Sequence, residues 1–252
     1  MKESVGNILK KWRNQHRYSQ LQLALELGVS SKHICFIETG RSIPSKELIL
    51  KISKFLFISK GEINRALYSA GYAPIYTELS ISDESLKPIL EAIEKMVQNH
   101  KPYPAIVLNQ SWDVIMANDS ALSLLAGLGY SEHTNIIEAL IADNSKTSKI
   151  INWHETVSAV LVRLKQEICI LGSHQRLQEY EVQLSNCLLT SADSPDDKNE
   201  DIVLSTKFQL DKEVLSFFSI VAQLSTVQDV TVSEYKVELM FPADETTKKY
   251  YI

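Results

Sequence analysis

The sequence predicts a two-part chain, α followed by mixed α/β: an all-α head of five short helices, then an α+β domain built on an antiparallel sheet. Three observations carry that prediction. Charge divides the chain, since residues 1–76 hold 12 Lys/Arg against 5 Asp/Glu, a net of +7, whereas the remainder holds 14 against 26, a net of −12. The first 72 residues are punctuated by serine caps and glycine stops at helix-length intervals. The tail instead alternates apolar and polar residues with the period of a strand, as in STKFQL and EYKVELMF.

Length and composition agree with this division. A chain of 252 residues can form two cores, and we place the head at 1–72, a linker at 73–84 and the second domain at 85–252. No apolar run approaches the roughly 18–20 residues of a membrane helix. The start, MKESVGNILKKW, lacks the apolar core of a signal peptide. Cys35, Cys169 and Cys187 are scattered and form no C-x-x-C pair, which suits reduced thiols in the cytoplasm rather than a disulfide framework.

The head is read element by element. A first helix runs from about Val5 to His16, with Val5, Ile8, Leu9 and Trp12 on one face. Ser19 caps the second and Gln22 completes a capping box. Leu21, Ala24 and Leu25 recur there at helical spacing and predict its core face, and Gly28 supplies a left-handed stop. Ser30 caps the third helix, which ends near Glu38 before Thr39-Gly40. Ser45 caps the fourth, whose stripe is Leu48, Ile49, Ile52, Phe55 and Leu56; Ser59 with Glu62 opens the fifth, which stops at Gly71.

The second and third helices, joined by a short turn at Gly28, form a helix-turn-helix. At 100° per residue the third helix turns Ile34 and Ile37 inward and Ser31, Lys32, Cys35 and Phe36 outward. A short helix with a small, basic and aromatic outer face suits a major groove ~12 Å wide. The blander alternative is a helical bundle with solvated charges. His33 falls at the edge of the core face, suited to packing or a phosphate contact. Arg41 and Lys46 stand where phosphate clamps are expected, and Cys35 is expected to be an exposed but inert thiol.

The run S-Q-x-x-L-A-x-x-x-G-V-S-x-x-x-I-x-x-x-E-x-G-x-x-x-P, from Ser19 through Gly28, Ile34 and Glu38 to Pro44, resembles the Cro and lambda-type repressor family called XRE. The resemblance implies a lambda-repressor-like fold and a double-stranded DNA operator as partner. It assigns Gln20 to the DNA backbone and Ser31, Lys32 and Phe36 to base reading. It also implies a structural ion pair between Arg13 and Glu38. One helix reads only a few base pairs, so a homodimer on two half-sites ~34–36 Å apart is expected.

Beyond Ala73, AGYAPIYTELSISDE reads as a linker. A helix follows with the stripe Leu86, Ile89, Ile93, Met96 and Val97; this stripe and the second domain are the candidates for the dimer contact. Next come a strand over Ala105–Asn109, a turn at Gln110-Ser111, a strand over Trp112–Ala117, and a helix capped by Asn118 or Asp119. Helical text resumes over Asn135–Leu171. Residues 191–201 read as an acidic exposed loop, and strands are expected within 202–210, 214–225 and 231–241.

PYPAIVLNQSWDVIMAN, INWHETV and LSFFSIVAQLSTVQDVTVSEYKVELMFPAD resemble the MmyB-like regulators, whose ligand-binding domain has a PAS-like fold. Where relatives commonly show a His-Pro pair this chain has Ala142-Asp143, and 172–201 has no clear counterpart. The resemblance implies a small, mostly apolar ligand such as a fatty acid. Trp112, Ile115, Leu122, Trp153, Phe217, Phe218 and Met240 are candidates to line a cavity of ~300–1,000 Å³, although each also suits an ordinary core. Two other occupants stay open: haem or flavin, with a lone histidine such as His154 as axial ligand, or a protein partner. An enzyme is not expected, because no Gly-rich phosphate loop, zinc motif or nucleophile elbow is present. The reading is a ligand-responsive DNA-binding transcriptional regulator without membrane insertion.

Overall fold

A computed structural model describes residues 3–80, 82–143, 147–171, 174–190, 204–224 and 227–251. The chain divides into two compact units: Met1–Glu78 with Lys165–Gln175 and Gln228–Val230, and Leu79–Leu164 with Arg176–Val227 and Thr231–Ile252.

The first unit contains α1 (Val5–Gln15), α2 (Gln20–Leu27), α3 (Ser31–Glu38), α4 (Lys46–Phe55) and α5 (Lys60–Ser69). All five begin at a serine. The hydroxyls of Ser4, Ser19, Ser30, Ser45 and Ser59 each accept from the amide three residues on, and Ser19 and Gln22 complete the capping box. Each cap contributes about 1 kcal/mol toward starting helices too short to persist alone. Gly28 takes φ 63° and ends α2 in the left-handed conformation that a β-carbon disfavours. The core gathers Ile8, Leu9, Trp12, Ile34, Ile37, Ile49 and Ile52, as the periodicity predicts. Gly6, inside α1, makes a closer contact: a β-carbon there would lie 2.2 Å from the Ile37 carbonyl oxygen. The glycine is what allows α1 to approach α3.

The expected core face of α2 is corrected in part. Leu21 and Leu25 are 59% and 71% exposed, and Leu23, Ala24 and Leu27 point inward instead. The segment read as linker begins as a clamped strap: Asn64 Oδ1 accepts from the amides of Ile75 and Tyr76, and its Nδ2 donates to the Tyr76 carbonyl.

The rest of the chain carries α6 (Lys87–Asn99), β1 (Ala105–Leu108), β2 (Val114–Ala117), α7 (Asp119–Leu128), α8 (Ile136–Ala142), α9 (Trp153–Leu171) and α10 (Gln175–Thr190). Then follow β3 (Thr206–Leu210), β4 (Glu213–Gln223), α11 (Val230–Ser233), β5 (Lys236–Pro242) and α12 (Glu245–Tyr250). The five strands form one antiparallel sheet in the order β2-β1-β5-β4-β3, so two hairpins flank the last strand. Ala105 and Val107 of β1 and Val237 of β5 join Leu86, Ile93 and Val97 in one core. Alternation along β5 turns Lys236, Glu238 and Met240 to the opposite face. No helix among the described residues is long and apolar enough to cross a membrane.

Several expectations change here. The stripe over 86–97 is not a dimer surface: Leu86, Ile93 and Val97 are buried against the chain's own sheet, and only Met96 is substantially exposed. Trp112 lies outside β2, in a turn with φ 68°, because Asn109 Oδ1 accepts from the amides of Ser111 and Asp113 and bends the chain before the strand starts. Residues 231–233 form a helical turn rather than a strand. Helices α10 and α12 add to the elements that the sequence predicts. The acidic loop at 191–201, and parts of the strands expected at 202–203 and 225, lie outside the described residues.

Candidate functional site

The first site is built on α3. Ile34 and Ile37 anchor it in the core and leave Lys32 exposed, with Ser31, His33, Cys35 and Phe36 half-buried beside it. Phe36 organises the outer face: Lys32 Nζ lies 5.5 Å and Arg41 Cζ 5.7 Å from its ring centroid. Arg41 is held there by the backbone, since the amides of Arg41 and Ser42 both donate to the Phe36 carbonyl. Two cations thus flank one aromatic ring, about 0.5–1 kcal/mol each at exposed sites, on the outer face of α3. Lys46 opens α4, half-buried, after the buried Pro44.

Behind that face lies an ion pair. Arg13 Nε and Nη2 donate to Glu38 Oε1 and Oε2 at 2.6 and 2.8 Å, and Arg13 Nη1 donates to the Tyr18 carbonyl at 2.7 Å. The two side chains are 9% and 3% exposed. Gln20 Nε2 donates to the same carboxylate at 2.8 Å. The Gln20 side chain therefore braces the end of α3, whatever its backbone amide does.

In the second unit the seven candidate lining residues occupy different settings among the described residues. Trp112, Trp153 and Phe217 are buried, Ile115 packs with the α6 core, and Leu122 is 54% exposed on α7. Adjacent Phe217 and Phe218 point to opposite faces of β4. Phe217 packs on Phe208 and Tyr251, while Phe218 stacks on Phe241 with ring centroids 5.6 Å apart. Phe218 lines an open groove of about 450 Å³, with Tyr103, Phe241, Pro242, Asp244 and Lys248 among its other walls. Met240 stays half-buried on β5, its carbonyl bonded to His100 Nε2. His154 is half-buried in the first turn of α9.

Two features of this interior escaped the sequence. Arg163 and Lys236 both approach the Trp112 ring, each 4.5 Å from its centroid, and Arg163 pairs with Glu238 at 3.0 Å. Trp153 Nε1 is buried and finds no acceptor among the described residues. Such a donor normally has a partner when buried.

A family model described as helix-turn-helix matches residues 9–63. A second, described as MmyB-like transcription regulator ligand binding domain, matches residues 89–251. The chain belongs to the MmyB-like transcription regulators. An uncharacterized HTH-type transcriptional regulator of Methanocaldococcus jannaschii is 42% identical over 59 residues, 23% of this chain and 89% of that relative. The protein is accordingly a DNA-binding transcriptional regulator with a ligand-binding domain. Within that domain the Ala142-Asp143 departure has its own local role: Asp143 accepts from the Tyr130 hydroxyl at 2.7 Å and from Ser148 Oγ. Burial, and then the hydrogen bond to that carboxylate, push the Tyr130 hydroxyl well above the usual tyrosine range. On the adjoining surface Arg176 pairs with both Asp113 and Glu138. Burial raises the Asp113 carboxyl, but hydrogen bonds from Asn135 and Asn109 and the Arg176 charge outweigh it and hold Asp113 below its ordinary value.

Proposed function

We propose that this regulator reads a specific operator in duplex DNA, as a cytoplasmic homodimer, and that its second domain senses a small, mostly apolar ligand of the fatty-acid type. The observation that carries the DNA reading is the Lys32–Phe36–Arg41 face on a short capped helix. Ser31, Lys32 and Phe36 contact base edges, while His33, Arg41, Lys46 and the amide end of α2 at Gln20 meet phosphates. Lys32→Ala tests the division of labour. Its expected result is a loss of ~1–3 kcal/mol of discrimination at one operator position, measured by titration against single-base operator variants. An equal loss on every sequence would instead make Lys32 a phosphate contact.

The charge split supplies a second expected result. Log affinity falls linearly with log salt, with a slope of about 0.9 per neutralised phosphate. Titrations between roughly 50 and 200 mM salt check it, and a salt-insensitive complex would refute the basic-head argument.

Support for the ligand reading comes from the groove lined by Tyr103, Phe218 and Phe241. Organic extraction of freshly purified protein, followed by mass spectrometry and an absorbance scan, tests it. A near-stoichiometric amphiphile is expected. A bound chromophore, or a co-purifying polypeptide with no small molecule, would replace the lipid-like ligand with haem or flavin, or with a protein partner.

A further inference from the structure

Each base pair shows the major groove its own pattern, and each pattern calls for its own kind of side chain. Guanine offers two acceptors to arginine or lysine, and adenine pairs with asparagine or glutamine. Cytosine presents an amino group to a carboxylate, and thymine a methyl to an apolar surface. The outer face of α3 meets only part of that code. The helix holds no Asn, Gln or Asp. Its one carboxylate, Glu38, is turned inward and paired with Arg13. The glutamines of α2 are engaged as well: Gln20 Nε2 donates to Glu38 Oε2, and Gln22 Oε1 accepts from the Ser19 amide. The loop from Thr39 to Ser45 adds no amide or carboxylate side chain. What the face does present is an ammonium and an aromatic ring one turn apart, with Lys32 Nζ 5.5 Å from the Phe36 centroid.

We propose that each operator half-site carries a guanine read by Lys32 and, within two base pairs of it, a thymine whose 5-methyl group packs on Phe36. The inference rests on the DNA reading above and adds the chemistry of the bases. Guanine N7 and O6 give the ammonium two acceptors on one base. The Phe36 ring has no polar atom, and the thymine methyl is the apolar group on a major-groove edge. Spacing follows from the helix. Four residues advance about 6 Å, close to the rise of two base pairs at roughly 3.4 Å each. A helix lying along the groove therefore sets the two contacts on neighbouring or next-neighbouring pairs, and the ammonium already leans over the ring. Adenine and cytosine are left with Ser31 on this face, whose hydroxyl both donates and accepts and so discriminates little.

The experiment starts from duplexes that the full chain enriches out of a randomised pool. Two single-group scans of the enriched half-site follow. Each thymine is replaced by deoxyuridine, which removes only the methyl, and each guanine by 7-deazaguanine, which removes only the N7 acceptor. Binding is titrated with the wild type, Lys32→Ala and Phe36→Ala, with circular dichroism to check that the variants fold. One uridine is expected to weaken the wild type about fourfold, the worth of one buried methyl, and to leave Phe36→Ala unaffected. One deazaguanine within two base pairs of it should weaken the wild type about fivefold and leave Lys32→Ala unaffected. The wild-type scans need no variant, so a Phe36→Ala chain that fails to fold leaves the test intact. A half-site without a methyl-sensitive thymine beside an N7-sensitive guanine would overturn the proposal. So would a uridine loss that persists in folded Phe36→Ala, because it gives the methyl to another side chain. Both of those outcomes leave sequence-specific DNA reading standing, whereas a pool from which no sequence is enriched would overturn that reading too.

Discussion

Glu38→Ala is expected to lower the stability of the head by about 3–5 kcal/mol, the range for a buried ion pair broken on one side, and to abolish operator binding. The loss comes from what remains behind. Arg13 keeps a buried guanidinium whose two carboxylate bonds, at 2.6 and 2.8 Å, have gone, and Gln20 loses its acceptor as well. Only the Tyr18 carbonyl still receives a bond from Arg13. Because α1, α2 and the end of α3 all meet at this carboxylate, the angle of the reading helix goes with it. Hydrogen exchange at the amides of α1 to α3 isolates the head's transition from that of the second domain. Arg13→Met combined with Glu38→Leu is the informative companion. It removes both charges, so most of the stability should return, within about 2 kcal/mol of wild type. Operator binding should recover less, since Gln20 remains without its anchor. A Glu38→Ala cost under about 1 kcal/mol would mean that water reaches the pair and that the hydrophobic core alone orients α3.

The contrast between the head and the second domain shows what a sequence discloses. The five starts of the head helices are local events, each settled by a serine and the amide three residues on, and four of the five caps were legible. The reading face was legible because it lies on one helix and its neighbouring loop. Even there α2 misled: Leu21, Leu23, Ala24, Leu25 and Leu27 make most of its eight residues apolar, so two stripes overlap and only the tertiary partner selects one. In the second domain the informative contacts are between residues far apart in the chain. The groove joins Tyr103 to Phe218 and Phe241, and Trp112 meets Arg163 and Lys236. Nothing local announces either. Val-Thr-Val at 230–232 reads as strand by β-branching yet turns helical, whereas Leu177, Tyr180 and Leu184 in α10 follow a helical period.

The same distances bear on regulation. A ligand changes DNA affinity only through its unequal affinity for the binding-competent and incompetent states. Phe218 both lines the groove and pairs with Phe241 in the sheet.

The largest effect expected in the second domain is that of Asn118→Ala, a loss of roughly 3–5 kcal/mol from several buried groups left unpaired at about 1–3 kcal/mol each, with part recovered by relaxation. Asn118 is fully buried and uses its whole amide. Its Oδ1 accepts from the Ala105 amide at 3.1 Å and from the Ala121 amide at 2.9 Å, which starts β1 and caps α7. Its Nδ2 donates to the carbonyls of Val97 and Tyr103 at 3.1 and 2.9 Å, which ties the end of α6 to the turn before β1. Asn118→Asp separates the two halves of that network. It keeps the acceptor but turns a carboxylate toward two carbonyls, so near neutral pH it should cost at least as much as alanine. Burial beside those carbonyls raises the folded-state pKa of the new carboxyl, so its deficit grows as pH rises through that value and shrinks in acid, where the protonated group donates to one carbonyl. Thermal unfolding between about pH 4 and 7 checks the sign against alanine, whose deficit should not follow pH in this way. Tyr103 is also a wall of the groove, so losing its tie to Asn118 should release extracted ligand in parallel with stability. A destabilised Asn118→Ala protein that retained its full ligand load would separate the groove from this network and place the ligand elsewhere in the domain.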